Sequence, residues 1–208
     1  MIFSKKLILA NLIFIIGFIL ILLEVFYNGS IVNLDLKINS LILLFENNFT
    51  YGLSNIFSII FDTIGIAIIT LVLCAYLWFK YPRKKEAIFF AVSMILTALI
   101  TFIIKETVGR ARPMNALVIE NSFSFPSGHV TTSVAFFGLV CYLIFRKSRT
   151  YSIKLITILM SSIVAILISL SRLFLNVHWF SDVIGGFLLG LFILTGCILF
   201  YAYLEKKD

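Results

Sequence analysis

The chain has 208 residues, 61% of them hydrophobic and 13% charged, with a formal net charge of +7 and a mean hydropathy of +1.10. Soluble domains are roughly half apolar and a quarter charged, so this composition excludes a water-soluble domain and points to one membrane domain over residues 1–208. On so apolar a background the positive charge marks a membrane topology, not a nucleic-acid surface.

The expected fold is an all-α polytopic membrane protein, because a spanning helix needs about 20 mostly apolar residues and six stretches qualify, at 7–26, 55–79, 87–105, 127–145, 155–174 and 180–204. The first follows Lys5 and Lys6 as a signal peptide would, but Glu24-Val-Phe-Tyr offers no small-residue cleavage site, so a retained helix is expected. The connection at 27–52 follows. Within it, Ile31 to Phe45 mixes apolar residues with Asn33, Asp35, Lys37, Asn39 and Ser40. An interfacial amphipathic helix between the first two spans and an ordinary capped loop both fit. Asp62, ahead of Thr63 and Gly65, reads as a local cap, with a contact to a headgroup as the alternative. Cys74, Cys141 and Cys197 lie in apolar runs without metal or redox spacing and are read as packing residues.

Orientation comes from the basic residues. With the N-terminus inside, the cytoplasmic segments hold Lys5, Lys6, Lys80, Arg83, Lys84, Lys85, Arg146, Lys147, Arg149, Lys154, Lys206 and Lys207, which is 12 of the 17 Lys and Arg. The positive-inside rule then places both termini in the cytoplasm. Five basic residues are left outside, and four of them (Lys105, Arg110, Arg112 and Arg172) fall in two short regions.

Three clusters at the outer ends of spans carry chemistry. Lys105 closes the third span and Arg112 precedes Pro113 in the next loop. Taken singly, the first could snorkel to headgroups and the second could be solvated. Pro126-Ser127-Gly128-His129 opens the fourth span, where a helix start presents free N–H groups to an anion or is simply well capped. Ser171-Arg172 closes the fifth span, and His178 and Asp182 lie four residues apart at the start of the sixth, one above the other on a helix. A carboxylate there orients the imidazole and supports the charge it gains in reaction. Ionisable groups at membrane depth are costly and tend to be functional. Together the clusters collect both histidines of the chain and three cations, enough to hold a phosphate. Glu106, Arg110 and Glu120 flank them and are expected to be solvated loop residues. Gly186 and Gly190 form a Gly-x3-Gly expected to permit close helix packing.

Lys-x6-Arg-Pro, Pro-Ser-Gly-His and Ser-Arg-x5-His-x3-Asp, in this order between residues 105 and 182, resemble the three motifs of the type 2 phosphatidic acid phosphatase superfamily, with every hallmark position present. The resemblance implies His178 as a nucleophile forming a phosphohistidine, Asp182 as its orienting partner, and His129 as the acid that protonates the leaving alcohol and then the base that activates water. It implies Lys105, Arg112, Ser127, Gly128 and Arg172 as the phosphate cradle, and no metal or other cofactor. The expected activity is hydrolysis of a lipid phosphomonoester or pyrophosphate, with phosphatidylglycerol phosphate, undecaprenyl pyrophosphate and phosphatidate as candidates. A headgroup phosphotransferase and a non-catalytic lipid-phosphate carrier are the alternatives. The expected partners are the lipid phosphate and membrane lipids, with no nucleic acid and no obligatory protein. The short chain and its richness in Ile, Lys, Asn and Phe point to a bacterial plasma membrane, with the site on the extracytoplasmic side.

Overall fold

The computed structural model describes residues 2–80 and 84–206; Arg83 and Lys207 lie outside the described residues. The chain is all-helical there, in the order α1 (Ile2–Phe26), α2 (Ser30–Leu43), α3 (Asn48–Ile60), α4 (Thr63–Lys80), α5 (Lys85–Val108), α6 (Gly128–Lys147), α7 (Tyr151–Phe174) and α8 (Phe180–Leu204). Six of these, all but α2 and α3, are long and apolar enough to cross a membrane. A helix satisfies its own backbone in hydrocarbon, which is why such sequences fold this way.

α8 is the axis. It packs on α1, α6, α5 and α2, while α7 lies against α6 and α3, and α4 against α5. Half of the α8 apolar window is buried, against 6% of that of α7, so α8 is surrounded by protein and α7 turns most of its surface outward. The close approach of α8 to α6 depends on glycine: a Cβ on Gly186 would stand 2.8 Å from the Ser127 carbonyl oxygen, and one on Gly190 2.9 Å from that of Thr131. The Gly-x3-Gly thus packs inside the fold, as expected. Phe90, Phe136, Leu139, Leu143 and Tyr201 fill the core at one end of the bundle. At the other, Phe18, Phe125, Leu189 and Ile193 fill it.

One expectation needs correction. The second span, expected unbroken over 55–79, begins at Thr63, and residues 48–60 form the separate helix α3. The cause is local: Asp62 Oδ1 accepts the Gly65 amide at 2.5 Å and starts a new helix. Gly65 has to be glycine, since a Cβ there would lie 2.1 Å from the Ile60 carbonyl oxygen. Asn47 and Thr50 cap the start of α3 reciprocally. The 27–52 connection, open in sequence between a helix and a capped loop, is helical. It contains α2, whose Asp35 is 1% exposed and points into the protein.

Candidate active site

The ends of α5 and α7 and the starts of α6 and α8 meet at one end of the bundle. Gly109, at φ +62°, closes α5 by donating its amide to the Lys105 carbonyl at 3.0 Å, the left-handed ending glycine favours. The chain then turns back over the bundle. The Ser124 amide bonds the Arg110 carbonyl at 2.9 Å, and the Leu117 amide bonds that of Leu175, also at 2.9 Å. Phe125 is fully buried and stacks on Phe18 at 5.9 Å. The Ser127 amide donates to the Asp182 carbonyl at 3.0 Å, tying the start of α6 to the start of α8. These ties hold an irregular connection in one conformation, as a site on loops requires.

His178 sits at the centre, 2% exposed. Its Nδ1 faces Asp182 Oδ2 at 3.3 Å and its Nε2 faces Arg112 Nη1 at 3.2 Å. A guanidinium only donates, so Nε2 carries the lone pair and Nδ1 carries the hydrogen directed at Asp182. Burial pushes the His178 imidazole well below its ordinary pKa, and the nearby Arg112, Lys105 and Arg172 charges push the same way. The ring is therefore neutral, with its free lone pair among cations. Asp182 is fixed in turn by the Trp179 amide at 2.9 Å and by Arg110 Nη1 at 2.5 Å.

The cations are held individually. Arg112 donates from Nε to the Ser122 carbonyl at 2.8 Å and from Nη1 to that of Val177 at 2.7 Å. Burial lowers its pKa, opposed by Glu120 and Asp182. Lys105 Nζ donates to the Phe123 carbonyl. A Cβ on Gly128 would lie 3.6 Å from the Lys105 Cε, an ordinary van der Waals contact, so the Lys105 stem runs directly beside the start of α6. Arg172 is fully buried and donates to Glu120 and to the Ser58 hydroxyl. Burial would raise the Glu120 carboxyl, but Arg172, Arg112 and His129 bring it below its ordinary range. His129 Nε2 faces the Ser58 carbonyl at 3.3 Å. A carbonyl only accepts, so that nitrogen carries hydrogen and Nδ1 is the one left to exchange a proton.

Lys105, Arg112, Gly128, His129 and His178 line one cavity of about 650 Å³. Asp182 stands behind His178, and Arg172 reaches the cavity edge through Glu120. Two cradle candidates keep unused polarity: Arg172 Nε and Ser127 Oγ are buried without a hydrogen-bond partner, a state that buried polar atoms rarely keep in the absence of a ligand. The cavity continues between α4 and α5 past Ile66, Ala67, Leu71, Met94, Ile95 and Phe102. Leu71, Ile95 and Phe102 are 69%, 65% and 60% exposed, so it opens sideways through the helix surface. Among the described residues no group of His, Cys, Asp and Glu is placed to hold a metal ion.

Arg110 and Glu120 correct the sequence reading. Arg110 bonds Asp182, Asp35 at 2.6 Å and the Ser181 hydroxyl at 2.7 Å. Glu120 spans Arg172 and Arg112, the latter at 3.6 Å. Neither is a solvated loop residue, because each neutralises a buried charge that water cannot reach. Asp35, read in sequence only as one polar residue of the 27–52 connection, and Ser58 join the site as well. A carboxylate amid apolar residues was the available signal for Asp35, and Ser58 carried none.

The profile of the PAP2 superfamily matches residues 86–206, more than half of the chain. The chain belongs to the PAP2 superfamily. It is 33% identical over 115 residues to phosphatidylglycerophosphatase B of Bacillus subtilis, covering 54% of this chain and 57% of that protein. It is 29% identical over 161 residues to lipid phosphate phosphatase 2 of Arabidopsis thaliana, covering 62% of this chain and 56% of that one. The matches thus span little more than half the length of either relative. Among solved structures, the transmembrane PAP2-type phosphatidylglycerolphosphate phosphatase of Bacillus subtilis superposes with a TM-score of 0.86 at 21% identity, over 96% of this chain and 98% of that one. Aquifex aeolicus LpxE superposes at 0.56 with 22% identity, over 80% and 94%. The PAP2 fold accounts for this multi-pass helical architecture, and the matched segment contains all three motif clusters.

Proposed function

We propose that this chain is a single-domain, metal-independent lipid phosphatase acting through a phosphohistidine. The observation that carries the reading is the cavity itself, cationic with two imidazoles at one end and an apolar, sideways-opening groove at the other. That combination suits a phosphate whose lipid tail stays in the bilayer. Lys105, Arg112 and Arg172 supply the positive charge that a metal supplies elsewhere, and the same charge repels a metal cation.

The reaction takes two displacements. In the first, the His178 Nε2 lone pair attacks phosphorus. An N–P bond forms, the P–O bond to the lipid alcohol breaks, and His129 passes a proton to that oxygen. Asp182 holds the Nδ1 hydrogen and balances the cationic ring. In the second, His129 takes a proton from water, whose oxygen attacks phosphorus. The N–P bond breaks and inorganic phosphate leaves. Arg112, now on Nε2, moves its donor to a phosphate oxygen when substrate binds. Ser127 Oγ and Arg172 Nε have spare donors for the other oxygens.

The basic residues at the opposite end of the bundle favour an extracytoplasmic site in a plasma membrane, with both termini inside, and α2 lying at the outer interface. The substrate class is a lipid phosphomonoester or pyrophosphate: phosphatidylglycerol phosphate, undecaprenyl pyrophosphate or phosphatidate. The test is colorimetric phosphate release by the purified protein across those three, with His178→Ala as control. We expect release from at least one lipid, unaffected by EDTA, and a drop of about a thousandfold or more in the variant. Equal turnover by His178→Ala, or a strict divalent-ion requirement, would overturn the mechanism.

A further inference from the structure

Behind Asp182 lies a buried pair, Asp35 and Arg110, that the two displacements above do not use. Asp35, on α2, accepts from the Ser181 amide at 2.8 Å, the Ser181 hydroxyl at 2.6 Å and Arg110 Nη2 at 2.6 Å. The other prong of the same guanidinium holds Asp182 Oδ1 at 2.5 Å, and the Trp179 ring lies 5.7 Å from the guanidinium carbon. Asp35 and Asp182 are 1% and 0% exposed. Neither Asp35 nor Arg110 lines the cavity, and both direct their polar contacts behind His178, to each other, Asp182 and Ser181.

Two buried carboxylates on one guanidinium form an expensive arrangement. Apolar side chains of similar volume would hold α2 against α8 as well or better. The charge count gives the reason for keeping it. Arg110 alone would cancel the charge of Asp182 and leave nothing to balance the His178 cation. With Asp35 on its far side, Arg110 sits between two negative groups, and the three together carry a charge of about −1. When His178 bonds phosphorus at Nε2 and keeps its Nδ1 hydrogen, the ring becomes positive, and ring and buried group together become neutral. A fixed charge shielded from water acts strongly and needs no reorganisation during the reaction.

We propose that Asp35 and Arg110 are a positioning pair that sets the charge and direction of the Asp182 carboxylate, and that they govern bond formation between His178 and phosphorus but not the binding of phosphate. The inference rests on the phosphohistidine reading above. It differs from a plain structural tie between α2 and α8 in which measurements it moves.

The experiment uses the full chain in detergent micelles, with a lipid phosphate that the wild type hydrolyses. Asp35→Asn and Arg110→Lys are compared for kcat, KM, and inhibition by inorganic phosphate and by orthovanadate. Phosphate binds through the cations alone, whereas vanadate takes His178 Nε2 as a fifth ligand and imitates the transition state. We expect kcat to fall and the vanadate inhibition constant to rise by roughly 10- to 100-fold, by analogy with the loss of outer hydrogen-bond partners around metal-ligating histidines, with KM and phosphate inhibition within about twofold. Unaltered kcat and vanadate inhibition in both variants would overturn the pair, and so would equal weakening of phosphate and vanadate. If Asp35→Asn aggregates, Arg110→Lys carries the comparison, because it keeps the charge and loses the second prong. Aggregation of both overturns the proposal by making the pair a structural tie. A wild type that releases no phosphate from any lipid sinks the phosphatase reading and this one with it, whereas an active wild type matched by both variants sinks the pair alone.

Discussion

The neutral state of His178 has a cost that acid should reveal. Its pKa is depressed in the folded protein, so the unfolded chain takes up its proton first as pH falls. The stability from keeping the ring neutral is whole above about pH 6.5 and declines steadily below it. The melting temperature of the wild type should therefore drop between pH 7 and pH 5, and in His178→Ala the drop should be smaller. Equal slopes in both proteins would count against a buried neutral imidazole. Glu120 is the second residue with a double life. It sits on Arg172 and Arg112, the cations proposed to hold phosphate, and is 25% exposed. Glu120→Gln should cost about 1–3 kcal/mol, less than a fully buried pair because water reaches part of the carboxylate. Inorganic phosphate should restore more stability to the variant than it adds to the wild type, by mass action on the freed cations. Thermal unfolding with and without phosphate checks both. The motif residues were legible in the sequence because rare polar types stand out in apolar runs. The partners of those residues were not, because Arg110 meets Asp35 from 75 positions away and no local pattern encodes such a pairing.

At the scale of the element, span boundaries were readable wherever an apolar run met charge: α8 covers Phe180–Leu204, the stretch expected at 180–204. The split of the second span was not readable, because α3 and α4 are both apolar and one carboxylate at Asp62 separates them. Replacing Asp62 with alanine should cost roughly 0.5–2 kcal/mol, the usual range for a helix cap, and chemical unfolding in mixed micelles measures it. The split also places Ser58, in the last turn of α3, against both Arg172 and His129. Gly186 offers a sharper test of packing. Its missing Cβ leaves room for the Ser127 carbonyl, and the Ser127 amide is bonded to α8. Gly186→Ala should push the start of α6 away, costing about 1–3 kcal/mol and lowering phosphate release well beyond the loss of folded protein. Full specific activity in the folded fraction would show that α6 yields without disturbing the site.

On the scale of the whole molecule, the two ends of the bundle differ in kind. The site end buries its charge among six helices, α2, α3, α5, α6, α7 and α8. The opposite end carries pairs such as Arg146 with Glu205 at 2.8 Å and Lys147 with Glu86 at 3.2 Å, each with a partly exposed cation. In a chain with Cys74, Cys141 and Cys197 replaced, a single cysteine at Met114 should react with a membrane-impermeant maleimide on intact cells, and one at Arg149 only after the cells are opened. Labelling of Arg149 from outside would reverse the topology. The groove between α4 and α5 carries the last consequence. Its lining runs from Thr63 to Cys74 on α4, about 17 Å at the helical rise of about 1.5 Å per residue, or roughly half of a hydrocarbon core. An enzyme fed through such a side opening counts its substrate in two dimensions. Its rate should follow the mole fraction of lipid phosphate among the surrounding amphiphiles, so that adding inert detergent at constant substrate slows turnover just as dilution slows a soluble enzyme.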